Sequence, residues 1–267
     1  MHFVVCAKQI PDPETPPSAF RIDEANNEVI PAPGISPVLS QFDGMAAEAA
    51  LRIVEAAGEG KITVISLGQE SAQAAIKQVL AMGADEGILL EDDALQGGDS
   101  YTTARTLAAA IEKLGDVDAV FCGRQAADWD MGQVGLGLAE LLGWPSAIIA
   151  KDVQVENGTM HVQRVLADGF ESVALPLPAV VTISNEIGDP RYPKLQQIMR
   201  AARKTVNRWS AEELGLDPST VGDAGARLKL ERLFIPELGG EVEIMDGESA
   251  EEQAQQLAET LREAKIL

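Results

Sequence analysis

The sequence predicts an α/β fold, a mostly parallel sheet with helices on both faces, and three observations carry that reading. Short apolar strands alternate with longer segments whose apolar residues recur every three or four positions. Glycines fall near the ends of those longer segments, where helices stop. At 267 residues with 46% hydrophobic side chains, the chain can bury a full core, so one main domain with an appendage is expected.

In order, Val4 to Ala7 reads as a first strand, KITVISLG (61–68) as a second, EGILLED (86–92) as a third and DAVFCG (118–123) as a fourth. Between them SQFDGMAAEAALRIVEAAG, QESAQAAIKQVLAMGA and SYTTARTLAAAIEKLG read as amphipathic helices. Two inserts interrupt this order. FRIDEANNEVIP (20–31) has two short strand-like runs about an Asn-Asn turn, and KDVQVENGTMHVQRVL (151–166) alternates about Asn157-Gly158, a hairpin signal. ESVALPLPAVVTIS (171–184) reads as a returning strand followed by a buried one, and YPKLQQIMRAARK (192–204) as a basic helix. From Asn207 the periodicity fades into Gly, Asp and Pro, which predicts an extended arm and a final helix opened by a capping box, Ser249 with Glu252. The expected division is therefore an α/β domain over 1–206 and an arm with a helix over 207–267. Such an arm cannot build its own core and is expected to lie along another surface.

Composition excludes several function classes. A net charge of -21 argues against a nucleic-acid backbone as partner, because one polyanion repels another. Cys6 and Cys122 lie in apolar runs with no CxxC or Cys/His spacing, so buried free thiols and no metal site are expected. The N-terminal apolar stretch is too short for a signal peptide and no run approaches a membrane span, which makes the cytoplasm the expected compartment. Neither His2 nor His161 has a nucleophile placed beside it, so both are expected at the surface and no catalytic residue is assigned.

Ligands of open α/β sheets bind beyond the carboxyl ends of the strands. The candidates are thus Cys6-Ala7-Lys8, Ser66-Leu67-Gly68, and the loop from Gly123 to Val134. Within that loop Gly132, Gln133, Val134 and Gly135 stand at the start of a helix, where free N–H groups and the helix dipole favour an anion. Arg124 can add a charge, and Asp128 or Asp130 can cap the helix or accept from a ribose hydroxyl. The glycines are read equally as close packing of helix on sheet. GGDS (97–100) is read as a helix cap through Asp99 or Ser100.

VVCAKQIPD at the start, SQFDGMAAEAALRI (40–53), AMGADEGILL (81–90), GRQAADWDMGQVG (123–135) and PAVVTISNEIGDPRYPKLQQIMRA (178–201) together resemble the β subunit of electron-transfer flavoproteins. The resemblance runs in order over nearly the whole chain. It implies a Rossmann-like domain that binds an adenine nucleotide, in a heterodimer whose α subunit carries a redox-active FAD and receives the arm and last helix. The positions matching that nucleotide pocket are Cys6, Ser40, Gln41, Phe42, Asp43, Leu67, and the loop Gly123, Arg124, Gln125, Ala126, Ala127, Asp128, Trp129, Asp130, Met131, Gly132, Gln133 and Val134. Pro190, Arg191, Tyr192 and Leu195 resemble the loop that docks partner dehydrogenases, with Leu195 as its anchor.

The resemblance further implies AMP in this subunit for ordinary carriers, or a second FAD in members that bifurcate electrons from NADH toward ferredoxin or flavodoxin. Ordinary members read Asn-Gln-Thr-Gly where this chain has Gly132-Gln133-Val134-Gly135, and Asn-Pro at Ser40-Gln41. Bifurcating members carry Thr-Ala before Gln133 and Pro after Gly135, where Met131, Gly132 and Leu136 stand here. Trp129 is unusual for either and can stack on a ring or block one. On balance a second FAD is expected, with AMP as the alternative.

Overall fold

A computed structural model describes residues 1–236 and 242–267. In chain order the elements are β1 (His2–Cys6), β2 (Gln9–Ile10), β3 (Arg21–Asp23), β4 (Glu28–Ile30), β5 (Val38–Leu39), α1 (Gln41–Ala57), β6 (Lys61–Leu67), α2 (Gln73–Met82), β7 (Glu86–Leu90), α3 (Ser100–Leu114) and β8 (Ala119–Gly123). They continue with α4 (Val134–Leu142), β9 (Ser146–Glu156), β10 (Thr159–Leu166), β11 (Gly169–Pro176), β12 (Ala179–Ile183), α5 (Leu195–Arg203), β13 (Val206–Trp209), α6 (Gly222–Gly225) and α7 (Ala250–Glu263). Nine strands form one sheet in the order β11-β10-β9-β12-β8-β1-β6-β7-β13. Every pairing from β9 to β13 is parallel, and β9, β10 and β11 extend the sheet as an antiparallel meander.

The apolar strands explain this layering. Phe3 and Val5 of β1 join Phe121 of β8 beneath α1 and α2, while Val4 and Cys6 join Val120 and Ile65 beneath α3 and α4. Phe3 and Phe121 meet with ring centroids 5.2 Å apart. The inner face of α1 is built of Ala46, Ala47, Ala49 and Ala50, small enough to let the helix lie close on the sheet. Strand β1 lies at the centre with β6 on one side and β8 on the other. The chain therefore leaves β1 in one direction and returns in the other, a topological switch point that opens a crevice at the carboxyl ends of β1 and β8.

The hairpins are where the sequence places them. Asn157 and Gly158 both have positive φ, 51° and 76°, as the two-residue turn requires. Beta strand β13 pairs with β7, so the main sheet runs across residue 207. One compact unit spans Met1–Leu233 and a second Phe234–Leu267. In the first, Asp99 Oδ1 caps α3 at the N–H groups of Tyr101 and Thr102, both at 3.0 Å. Its Oδ2 accepts from the N–H groups of Arg227 and Leu228 at 2.7 and 2.9 Å. The GGDS turn is a helix cap, and it also grips the chain that follows α6. In the second unit, Ser249 caps α7 through the N–H of Glu252, but the Glu252 carboxylate accepts from Glu248 instead of closing the expected box. Among the described residues, no helix is long and apolar enough to cross a membrane.

Candidate functional site

The crevice between β1 and β8 is organised by Asp43 in the first turn of α1. Its Oδ2 accepts the N–H of Lys8 at 2.8 Å and its Oδ1 the N–H of Gly123 at 3.0 Å. One buried carboxylate thus joins the ends of both strands to a helix. Burial pushes its carboxyl up to about 7, against the two N–H donors and Lys8, which favour the charged form. Gly123 is glycine for want of space, because a Cβ there would stand 2.6 Å from Asp43 Oδ1 and 2.7 Å from Phe42 Cβ.

From Gly123 the loop leaves as Arg124, whose N–H bonds the carbonyl of Ile183 at 2.9 Å and whose guanidinium lies 5.4 Å from the centre of the Phe42 ring. Arg124 also reaches Ser184 Oγ at 3.4 Å. Ala126 accepts from Asp130 in a tight turn, Gln125 bonds the Asp130 carboxylate at 2.8 Å, and Lys8 Nζ crosses the mouth to Asp128 at 2.7 Å. Trp129 and Met131 remain half-exposed at the rim. Asp130 and Gly132 take left-handed φ values of 50° and 63°, which turn the loop into α4.

No side chain caps α4. Its first intrahelical bond runs from Gly137 N–H to the carbonyl of Gln133, so the turn opening at Val134 presents its N–H groups with the positive end of the helix dipole. Gly135 seats this turn on the sheet, since a Cβ there would stand 2.5 Å from Thr182 Cγ2. The close-packing reading holds for Gly135, and that packing brings the uncapped terminus to the crevice. The buried hydroxyls of Ser40, at the start of α1, and Ser66, near the end of β6, have no hydrogen-bond partner among the described residues. Orphan hydroxyls, free N–H groups, Arg124 and Lys8 make a donor set suited to a phosphorylated polar ligand.

Sequence-predicted positions Cys6, Ser40 to Asp43, Leu67 and Gly123 to Val134 all fall at this carboxyl edge. Cys6 and Cys122 are free and buried, and the neighbouring Cys6 thiol together with burial pushes the Cys122 thiol well above its usual range, which makes it inert. His161 is exposed as expected. His2 is not a surface residue: it is half-buried at the opposite edge and pairs with Thr63 Oγ1 at 2.9 Å. Among the docking positions, Tyr192 is 93% and Leu195 72% exposed, while the Arg191 side chain turns inward to Glu48 and Glu55. Glu48 and Ser184 escaped the sequence reading. The available signal for Glu48 was an acid inside an alanine-rich apolar stripe, four residues before Arg52.

Residues 34–214 match the electron transfer flavoprotein domain. The chain is 35% identical over its full length to all of the caffeyl-CoA reductase-Etf complex subunit CarD of Acetobacterium woodii. It is 37% identical, again over the whole of both chains, to the electron transfer flavoprotein subunit beta of Thermoanaerobacterium thermosaccharolyticum. Protein FixA of Bradyrhizobium diazoefficiens is 33% identical over 98% of this chain and 91% of its own.

Proposed function

The chain belongs to the electron transfer flavoprotein family as a β subunit, and from that premise we propose that it holds an adenine nucleotide at the β1/β8 crevice and presents a docking face to redox partners. The observation that carries the reading is the uncapped terminus of α4 set beside the Asp43-joined strand ends. Phosphate oxygens accept from the N–H groups at Val134 and Gly135, with Arg124 as the nearby cation, and the hydroxyls of Ser40 and Ser66 supply donors that no described residue uses. Lys8 and Asp128 close the loop across the entrance.

FAD is the nucleotide we assign, because Gly132 and Val134 depart from the AMP-type residues, while Gln133-Val134-Gly135 together with GRQA (123–126) and PRYP (190–193) resembles the bifurcating type. When bound, FAD supplies the electron-carrying ring; the chain's own residues fix its phosphates and exclude water from the buried edge. The α subunit and a dehydrogenase, ferredoxin or flavodoxin complete the system, with NADH as the reductant of a bifurcating complex. Tyr192 and Leu195 form the apolar centre of the docking face. No acid lies between Arg191 and Ala211, and of the six cations there Arg191 and Arg208 are paired with glutamates, which leaves Lys194, Arg200, Arg203 and Lys204 to favour a partner with an apolar recess edged by carboxylates.

Acid release and chromatography of nucleotides from the purified α/β complex test the assignment. Two FAD and no AMP per heterodimer support it. One FAD with one AMP leaves an ordinary electron carrier, and the absence of any adenine nucleotide from this subunit overturns the site.

A further inference from the structure

The segment from Gly188 to Lys194, between β12 and α5, has no regular structure, yet it carries Tyr192 outward and leads into Leu195. Exposed side chains do nothing to hold a loop in place. What holds this one is a charged cluster on the inner part of α1. Glu48 is buried, and its carboxylate accepts from Arg191 Nε at 2.7 Å, from the Arg191 backbone N–H at 3.1 Å, and from Arg52 Nε at 2.8 Å. Arg52 extends to the carbonyl of Ile187 at 3.0 Å, and Arg191 extends to Glu55 Oε2 at 2.9 Å. The first part of the loop, from Ile187 to Arg191, is therefore bound at both its ends to one side chain, directly or through one arginine. Between those ends Pro190 lies on Gly44, where an added Cβ would touch its Cγ at 3.6 Å.

The helix that follows is framed as firmly at its far end. Lys77 of α2 donates to the terminal carbonyls of α5 at Ala201 and Ala202, at 3.0 and 3.1 Å, and Lys204 returns to the carbonyls of Ala84 and Asp85 at 2.7 and 2.9 Å. Although burial opposes ionisation of Glu48, the hydrogen bonds from Arg191 and Arg52 outweigh it and hold its carboxyl below the usual value, so the cluster is charged at neutral pH. An ion cluster about a buried carboxylate is a poor source of stability compared with apolar packing. It is a good device for selecting one conformation.

We infer that Glu48 is a positioning residue for the docking face: through Arg191 and Arg52 it holds residues 187–191 against α1, so that Tyr192 and Leu195 stand preformed for the redox partner. The inference rests on the docking role given to Tyr192 and Leu195. A preformed epitope spares the ordering of the loop on association, so the gain lies in binding and not in the electron-transfer step itself.

Hydrogen exchange of the intact α/β complex reads the clamp without any partner. In Glu48→Gln and in Arg191→Met, amides of 187–195 are expected to exchange about tenfold faster while those of β1, β6 and β8 are unchanged, and the double variant to be no faster than either single one. Unchanged exchange in both single variants, or effects that add in the double, overturns the inference. Arg191→Met removes only the outer partner, so it remains informative if Glu48→Gln fails to fold. With the dehydrogenase that exchanges electrons with the complex as the varied substrate, Glu48→Gln is expected to raise KM about tenfold at constant kcat; a lower kcat at constant KM overturns the positioning role. Loosened exchange with unaltered KM keeps the clamp and removes the docking reading, so the two fail separately.

Discussion

The carboxylate of Asp43 accepts the backbone N–H of Gly123 at 3.0 Å, joining the first turn of α1 to the last residue of β8 across the switch point of the sheet. This is a contact between an ionisable group and the loop that follows β8, and it has a pH signature. The folded chain keeps the Asp43 proton up to about 7, whereas the unfolded chain loses it near 3.8. The folded state therefore binds more protons between these values, and the contribution of this residue falls as pH rises through the window. Denaturant titrations of the wild type and Asp43→Asn are expected to show the wild type losing stability relative to the variant from the unfolded value of 3.8 up to about 7, and no further change above it. A pH-independent difference contradicts the shift.

Gly135 tests whether close packing delivers the α4 terminus to the site. A methyl group there meets Thr182 Cγ2 at 2.5 Å, so Gly135→Ala must lift the helix or displace β12. The expected cost is about 1–3 kcal/mol of stability, as for other overpacked positions. Nucleotide content of the purified complex should fall with it, and a variant of wild-type stability and full nucleotide content refutes the account.

Asp99 serves two segments with two oxygens. Burial opposes its ionisation, yet N–H groups of Thr102, Leu228, Arg227 and Tyr101 hold its carboxyl below the usual value. Its contribution is thus complete above pH 3.8 and lost as pH falls further. Asp99→Ala is expected to lower stability by about 1–2 kcal/mol, the cost of a lost cap. It should also release the chain at Arg227, which lies with its guanidinium 3.5 Å from the Tyr101 ring centre. Trypsin cleavage at Arg227 and Lys229 reads that release, and equal cleavage rates in both proteins exclude it.

Leu195 is expected to act only in association. With the dehydrogenase that exchanges electrons with the complex, Leu195→Ala should raise KM about tenfold and leave kcat unchanged, as for removal of an interface anchor. Because the side chain is 72% exposed, thermal stability should be unaltered. Unchanged KM removes Leu195 from the docking face.

The legible parts of the structure are those encoded by contiguous residues. Val4 to Ala7 and KITVISLG are apolar because both faces of their strands are covered, and Asn157-Gly158 marks its own turn through local backbone preference. Three features depend on distant residues and escaped. VNRW is a strand because β7 offers it a ladder, from Val206 opposite Gly87 to Trp209 opposite Leu90. Strand β9 begins at Ser146, ahead of Lys151, because Ile149 at φ 58° gives its N–H to Thr182 Oγ1 and carries the strand through an irregularity that breaks its alternation. Glu48 reads as one more acid in a chain with 42 of them until Arg191, 143 residues later, is folded against it. The loop after β8 was marked in the sequence by its glycines and Asp43 by resemblance, but that the Asp43 carboxylate joins the two strand ends was visible only in three dimensions.

The acid-free stretch about α5 has a consequence before any contact forms. On a molecule of charge -21, Arg191 and Arg208 of this stretch are already paired with glutamates, and Lys194, Arg200, Arg203 and Lys204 are the cations that make the surface electrically lopsided. A negatively charged redox protein is repelled from most directions and turned toward this one while still beyond contact, so diffusion delivers it already oriented. Such guidance reaches only about 8 Å at physiological ionic strength. The frequency of productive encounters, rather than the lifetime of the bound pair, is what added salt diminishes first.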